Sequence, residues 1–219
     1  MNPLPLFPLR TVLFPGGLLP LRIFEPRYVD MVGRCLRTDS EFGVVQILGG
    51  AETGAIDELA TVGTSARIVD FNTADDGLLG LLCRGERRFR IEQRSLQPDG
   101  LHLAEVSWLP EGTTALTAAQ QPLITVLRRV LEELGTTAQF LQPRFDEAGW
   151  VSNRFAELLP LDRAAQQRLL ETDDAQAVRI CRLGVQARQA RRAAEAGDPS
   201  RNLRRLRQSR CNRRKRYVR

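Results

Sequence analysis

One histidine, one lysine and four cysteines bound the chemistry open to this 219-residue chain. A three-histidine zinc site is impossible with His102 alone. A Ser–His–Asp arrangement would have to use that same residue, and strand alternation places it beside Val106 and Trp108, where a packed or half-exposed imidazole is the commoner outcome. A Ser–Lys dyad would have to use Lys215, flanked by Arg213, Arg214 and Arg216. Such neighbours depress a lysine pKa, but the segment lacks the apolar residues that would hold a geometry. No GxxxxGK[ST] loop and no GxGxxG turn occurs. The pairs Asp75-Asp76 and Asp173-Asp174 fit a turn and a helix start better than a cation site. Cys35, Cys83, Cys181 and Cys211 are too widely spaced for CxxC chemistry or a small disulfide scaffold, and read as reduced thiols. The expectation is a non-enzyme with no catalytic residue, no cofactor and no metal.

The elements that must carry these residues fall into three zones: 1–115, 116–196 and 197–219. The first is β-rich. Leu4, Leu6 and Leu9 open one extended piece, and Leu18–Ile23 forms another after the Pro15-Gly16-Gly17 turn. Phe42–Leu48 is a buried run, and Thr64–Phe71 is extended up to the loop at Asp75-Asp76-Gly77. Leu78–Cys83 stops at Gly85. Arg88–Arg94 alternates, with Phe89 and Ile91 on one face and Arg88, Arg90 and Glu92 on the other. Pro98-Asp99-Gly100 turns the chain into Leu101–Trp108. One helix starts at Pro26, with Tyr28, Met31, Val32, Cys35 and Leu36 as its apolar stripe. Five to seven strands with one helix inserted predict a small, partly closed barrel within an α+β fold.

From about Thr117 the apolar period lengthens to that of a helix. A helix starting near Pro122 carries Leu123, Val126, Leu127, Val130, Leu131 and Leu134 and ends at Gly135. Trp150–Leu159 and Arg163–Leu170 are two more, separated by Pro160. Asp173 caps a last helix that runs to about Ala194.

Charge separates the third zone from the rest. Residues 201–219 hold nine Arg and Lys215 and no acidic residue, a charge of +10, so the remaining 200 residues carry −4. The basic balance of the chain belongs to its tail, which reads as a disordered segment. With a single aromatic, Tyr217, the tail supplies non-specific phosphate contacts rather than base stacking. Thirty-one Arg to one Lys points to a compositional bias, so individual arginines earn little functional weight. The opening MNPLPLFPLR has no signal-peptide pattern, and no apolar run reaches the roughly 18 residues of a membrane helix. These features predict a cytoplasmic protein without a membrane partner.

Residues 3–32, PLFPLRTVLFPGGLLPLRIFEPRYVDMV, resemble the opening of the LON substrate-binding domain family, which forms the N-terminal region of the ATP-dependent Lon protease. The resemblance continues through Phe42-Gly43-Val44-Val45, Val62-Gly63-Thr64 with Ala66 and Ile68, and Gly85-x-x-Arg88-Phe89-x-Ile91. It extends more faintly over residues 158–180. It implies a PUA-like β pseudo-barrel followed by a small helical bundle, here without ATPase and peptidase domains. The implied function is non-catalytic recognition of unfolded or extended polypeptide clients, with a protease or chaperone as a further partner. The alternative is an RNA-binding PUA-like protein that uses the Arg-rich tail. Phe14, Phe24, Arg27 and Tyr28 are the candidate protein-binding residues, and an exposed sheet edge is a second route for an extended client. Purely structural roles compete at the same positions: Phe7, Phe14 and Phe24 as barrel packing, and Glu25 as a partner of the helix N–H groups or of Arg27.

Overall fold

The computed structural model describes residues 3–50, 56–73, 78–112, 121–133 and 139–172. Two compact units divide the chain, Met1–Cys181 and Arg182–Arg219, and every described residue lies in the first. The expected helix from Asp173, the basic tail, the Asp75-Asp76-Gly77 loop and the end of the helix at Gly135 fall outside the described residues.

In chain order the elements are β1 (Leu4–Leu9), β2 (Leu18–Ile23), α1 (Pro26–Thr38), β3 (Phe42–Gly50), β4 (Ile56–Leu59), β5 (Val62–Thr73), β6 (Leu79–Leu96), β7 (His102–Trp108), α2 (Gln121–Glu132), α3 (Ala148–Leu158) and α4 (Arg163–Glu171). The strands form one mostly antiparallel sheet whose path runs β1-β7-β6-β5-β3-β4. A parallel pairing of Leu6–Leu9 on β1 with Gly43–Gln46 on β3 brings that path back to its start. Five strands thus close a ring, leaving β4 beside β3 and β2 beside β6. The larger buried cluster includes Phe7, Phe42, Val44, Ala66, Cys83 and Leu101. A smaller cluster of Leu6, Val45, Phe89 and Ala104 fills another part of the sheet.

α1 covers the larger core. Pro26 occupies its first turn, where a missing N–H costs nothing, and Tyr28, Met31, Val32 and Cys35 are buried on one stripe. Leu36, expected on that stripe, is exposed. The helix ends at Asp39 in the left-handed conformation, φ 47°, which Asp tolerates better than most residues. In α2 the buried positions are Ile124, Leu127 and Leu131, whereas Val126 faces solvent. Leu127 and Leu131 match the stripe read in the sequence, and Ile124 is buried where Val126 was expected.

The largest departure from the sequence reading is at Gly85. It does not stop a strand, because β6 runs through it for 18 residues. Gly85 is instead where β6 passes under the Pro15-Gly16-Gly17 turn. Its N–H donates to the Gly17 carbonyl, and the Gly16 N–H donates to its own carbonyl, at 2.9 and 2.7 Å. A Cβ there would sit 2.3 Å from the Phe14 carbonyl oxygen, so the residue is small for closeness, not for termination. β4 was not foreseen at all.

Two arginines tie the helices to the sheet, against the expectation that single arginines carry little weight. Arg154 on α3 is 2% exposed. Its Nη1 donates to the Gly16 carbonyl at 2.5 Å and its Nη2 to the Pro15 carbonyl at 3.0 Å, while Glu157 accepts a third bond at 2.9 Å. Arg88, expected on the solvent face of its strand, is buried. Its guanidinium donates to the carbonyls of Leu170, Thr172 and Pro110. Gln167 on α4 adds a bond to the Val62 carbonyl on β5 at 2.9 Å. These buried cations are compensated by carbonyls and by the Glu157 and Glu111 carboxylates, although Arg154 Nε has no hydrogen-bond partner.

Candidate functional site

β2 is an edge. Among the described strands it pairs with β6 alone. Leu19, Leu21 and Ile23 alternate inward onto the core, and Pro20 points out exposed, as a proline does on a strand with an open side. β1 has a matching open stretch, since β7 pairs only with Leu4–Leu6. Between Phe7–Leu9 of β1, Pro20–Phe24 and the first turn of α1 lies a cleft of about 200 Å³.

Its surface is built from rings and aliphatic groups. Phe7 and Tyr28 stack with centroids 4.1 Å apart and planes at 22°, and Leu9, Leu21 and Ile23 complete the apolar lining. At the rim, Phe24 is 59% exposed. Burial pushes the Tyr28 hydroxyl above its usual pKa, with a smaller opposing pull from Arg27. The phenol therefore stays neutral.

The four sequence candidates separate here. Phe14 is fully buried and Tyr28 nearly so; Phe14 offers no surface to a client, and Tyr28 offers only the ring face that lines the cleft. Arg27 is a brace. Its Nη1 donates to the Gly100 carbonyl at 3.1 Å, its Nη2 pairs with the Glu25 carboxylate, and its guanidinium lies 5.0 Å from the Tyr28 ring centre. Glu25 makes no side-chain cap to α1, so of its two expected roles the structure takes the pairing with Arg27. Phe24 corrects the packing expectation, because it projects into solvent. Alternation carried the signal: with Ile23 turned inward, the next side chain points out.

Elsewhere the chemistry stays sparse. His102 is half-buried on β7, and its pKa is lowered by burial, then by Arg94 and Arg27. Cys35 and Cys83 are buried free thiols, and burial pushes Cys83 up to about 12, which removes thiolate reactivity. Among the described residues no group of three His, Cys, Asp or Glu side chains is placed to hold a metal ion. No helix among them is long and apolar enough to cross a membrane.

Residues 3–179 match the family described as the ATP-dependent protease La (LON) substrate-binding domain. A Lon protease from Cytophaga hutchinsonii is 27% identical over 182 residues, covering 78% of this chain but 22% of that protein. The chain thus spans about a fifth of the length of the curated Lon relatives it matches. Among solved structures, a Lon N-terminal domain protein from Xanthomonas campestris is 40% identical with a TM-score of 0.67, covering 82% of this chain and 96% of that one. The N-terminal domain of a Mycobacterium avium complex Lon protease, at 19% identity and a TM-score of 0.58, shares the fold.

Proposed function

The chain belongs to the LON substrate-binding domain family, and from that premise we propose that it is a non-catalytic recognition module for unfolded or extended polypeptides. The cleft beside β2 is the observation that carries this reading. An extended segment laid along the open edge of β2 would gain main-chain hydrogen bonds from the strand. Its alternate side chains would meet the apolar wall of Phe7, Leu21 and Tyr28. Phe24 at the rim is the contact with most surface left to bury. The closed five-strand ring fits a PUA-like pseudo-barrel that holds this edge rigid while the cleft stays open.

The test uses fluorescein-labelled casein as an unfolded probe. Phe24→Ser should weaken its binding five- to thirtyfold, the equivalent of about 1–2 kcal/mol of lost apolar contact. The melting temperature should stay put, because the side chain is already in solvent. Unchanged casein affinity in the folded variant defeats the cleft as the client site. Loss of casein binding on removal of residues 201–219, with Phe24 irrelevant, would favour the charge-driven reading instead.

A further inference from the structure

A second groove, of about 660 Å³, lies at the other end of α1. It runs between the last turns of the helix, the start of β1 and the edge where β5, β6 and β7 present Arg67, Arg87 and Trp108. Its electrostatics differ from those of the acidic body around it. Four arginines line it, Arg34 and Arg37 from α1 with Arg67 and Arg87 from the sheet, against two acids, Asp39 and Glu41. Both acids are engaged by one partner: Arg67 donates to Asp39 at 2.6 Å and to Glu41 at 3.0 Å.

Among the described residues no carboxylate pairs with Arg34, Arg37 or Arg87. A single cation in the last turn of a helix is an ordinary complement to the helix dipole. Arg34, Arg37 and Arg87 go beyond that, because they converge from a helix and a strand on one groove whose two carboxylates are paired with Arg67. Arg87 is held in place, its guanidinium lying 3.9 Å from the centre of the Trp108 ring. Trp108 also meets Phe89 edge-on, with centroids 6.2 Å apart. A stacked arginine keeps its in-plane N–H groups free to donate while losing little side-chain entropy on binding.

We propose that this groove binds an acidic polypeptide segment, with Arg34, Arg37 and Arg87 receiving its carboxylates. The proposal rests on the polypeptide-recognition reading and names a class of client that the apolar cleft does not select. A planar guanidinium fork matches a carboxylate in two-point contact. A nucleic acid is the poorer fit. Trp108 is the single aromatic ring of the groove, and the face it would offer a base is covered by Arg87. Single-strand binders need a succession of open rings.

The experiment titrates the full chain with a peptide of about twelve alternating Glu and Ser residues, long enough at roughly 3.3 Å per residue to follow the groove. The readout is the indole N–H signals of Trp108 and Trp150 by NMR, with Trp108→Phe to assign them. The peptide should shift the Trp108 indole and leave the Trp150 signal in place, and a Gln-for-Glu version should shift neither. Arg34→Glu with Arg37→Glu should weaken that response about tenfold or more, as expected for two charge-assisted contacts. Arg34→Gln with Arg37→Gln should weaken it less, and added salt should weaken it in the wild type.

Both helix positions are exposed, so the variants should keep the wild-type melting temperature. Peptide binding that leaves the Trp108 indole unmoved places the acidic contact in the basic tail and overturns the proposal. So does a response equal in the double-Glu variant. Oligo-dT shifting the Trp108 indole at lower concentration than the peptide would make the groove a nucleic-acid site. None of these outcomes touches casein binding at Phe24, so the parent reading stands or falls separately.

Discussion

Arginine is used in opposite ways in two parts of this molecule. Where α3 and α4 meet the sheet, Arg154 and Arg88 are buried and their donors are consumed by backbone carbonyls of Pro15, Gly16, Pro110, Leu170 and Thr172. At the C-terminal end of α1, Arg34, Arg37 and Arg87 stand in a groove whose two acids are engaged by Arg67. The first set spends most of its donors on closing the fold. The second set has no carboxylate partner among the described residues, and its role in the fold is limited to contacts such as Arg87 over the Trp108 ring. Residue type and local sequence look alike in both places, so burial and partner identity decide the role.

Removing a cation from each region should separate the two uses most sharply. Arg154→Ala leaves the Pro15 and Gly16 carbonyls without donors in a buried site, and should cost about 3–5 kcal/mol. In a chain of this size that is a fall of roughly 6–20 °C in melting temperature, readable by calorimetry. Arg34→Glu with Arg37→Glu should move the same measurement by less than about 2 °C, the scale of a surface substitution of under ~0.5 kcal/mol. Equal losses in the two variants would erase the distinction.

Next in size is Gly16→Ala. Gly16 has φ +72°, and a Cβ there would lie 2.7 Å from the Trp150 indole nitrogen. Backbone strain and the clash together should cost about 2 kcal/mol. The loss should appear in the unfolding midpoint with no change in peptide response at Trp108. If Gly16→Ala is neutral, the turn is looser than its bonds to Gly85 and Arg154 imply, and the junction is not the rigid region of the pair.

The smallest effect concerns His102, which belongs to neither region but sits near Arg94 and Arg27. Its folded pKa is lowered from 6.5 by burial, with those two cations adding to the shift. The unfolded chain therefore binds a proton that the folded chain resists. Stability should be level above pH 6.5 and decline as the pH falls through 6.5 towards the lowered folded value. His102→Gln should flatten that decline between pH 7 and 5.5 in thermal melts. A slope unaltered by the substitution would assign the acid sensitivity to carboxylates instead.

The parts legible in the sequence were those with a local cause. β2 and the start of α1 follow from alternation after a Pro-Gly-Gly turn and from Pro26 in a first helical turn. The burial of Tyr28, Met31, Val32 and Cys35 follows from helical spacing. Gly85 misled because a glycine that ends a strand and one that lets another backbone approach look the same until the Pro15–Gly17 turn is placed over it. Arg88 misled for a related reason: alternation put it outward, and carbonyls from residues 110, 170 and 172 cover that side. The cleft was half legible. Phe24 and Tyr28 were named, yet the open edges of β1 and β2 exist only because β7 pairs with no more than Leu4–Leu6. That is a fact of topology, invisible to any window of residues.

α1 reaches both proposed surfaces: Tyr28 lines the apolar cleft, and Arg37 lines the arginine groove. Nine positions of helix separate them, roughly 14 Å along the axis at 1.5 Å per residue and about half a turn around it, so an extended chain needs more than about four residues to span the two. The helix therefore works as a ruler. A client that used both surfaces at once would be chosen by spacing as well as composition, with its apolar and acidic residues more than about four positions apart. Lengthening α1 by a full turn would change the preferred interval while leaving each surface as it is.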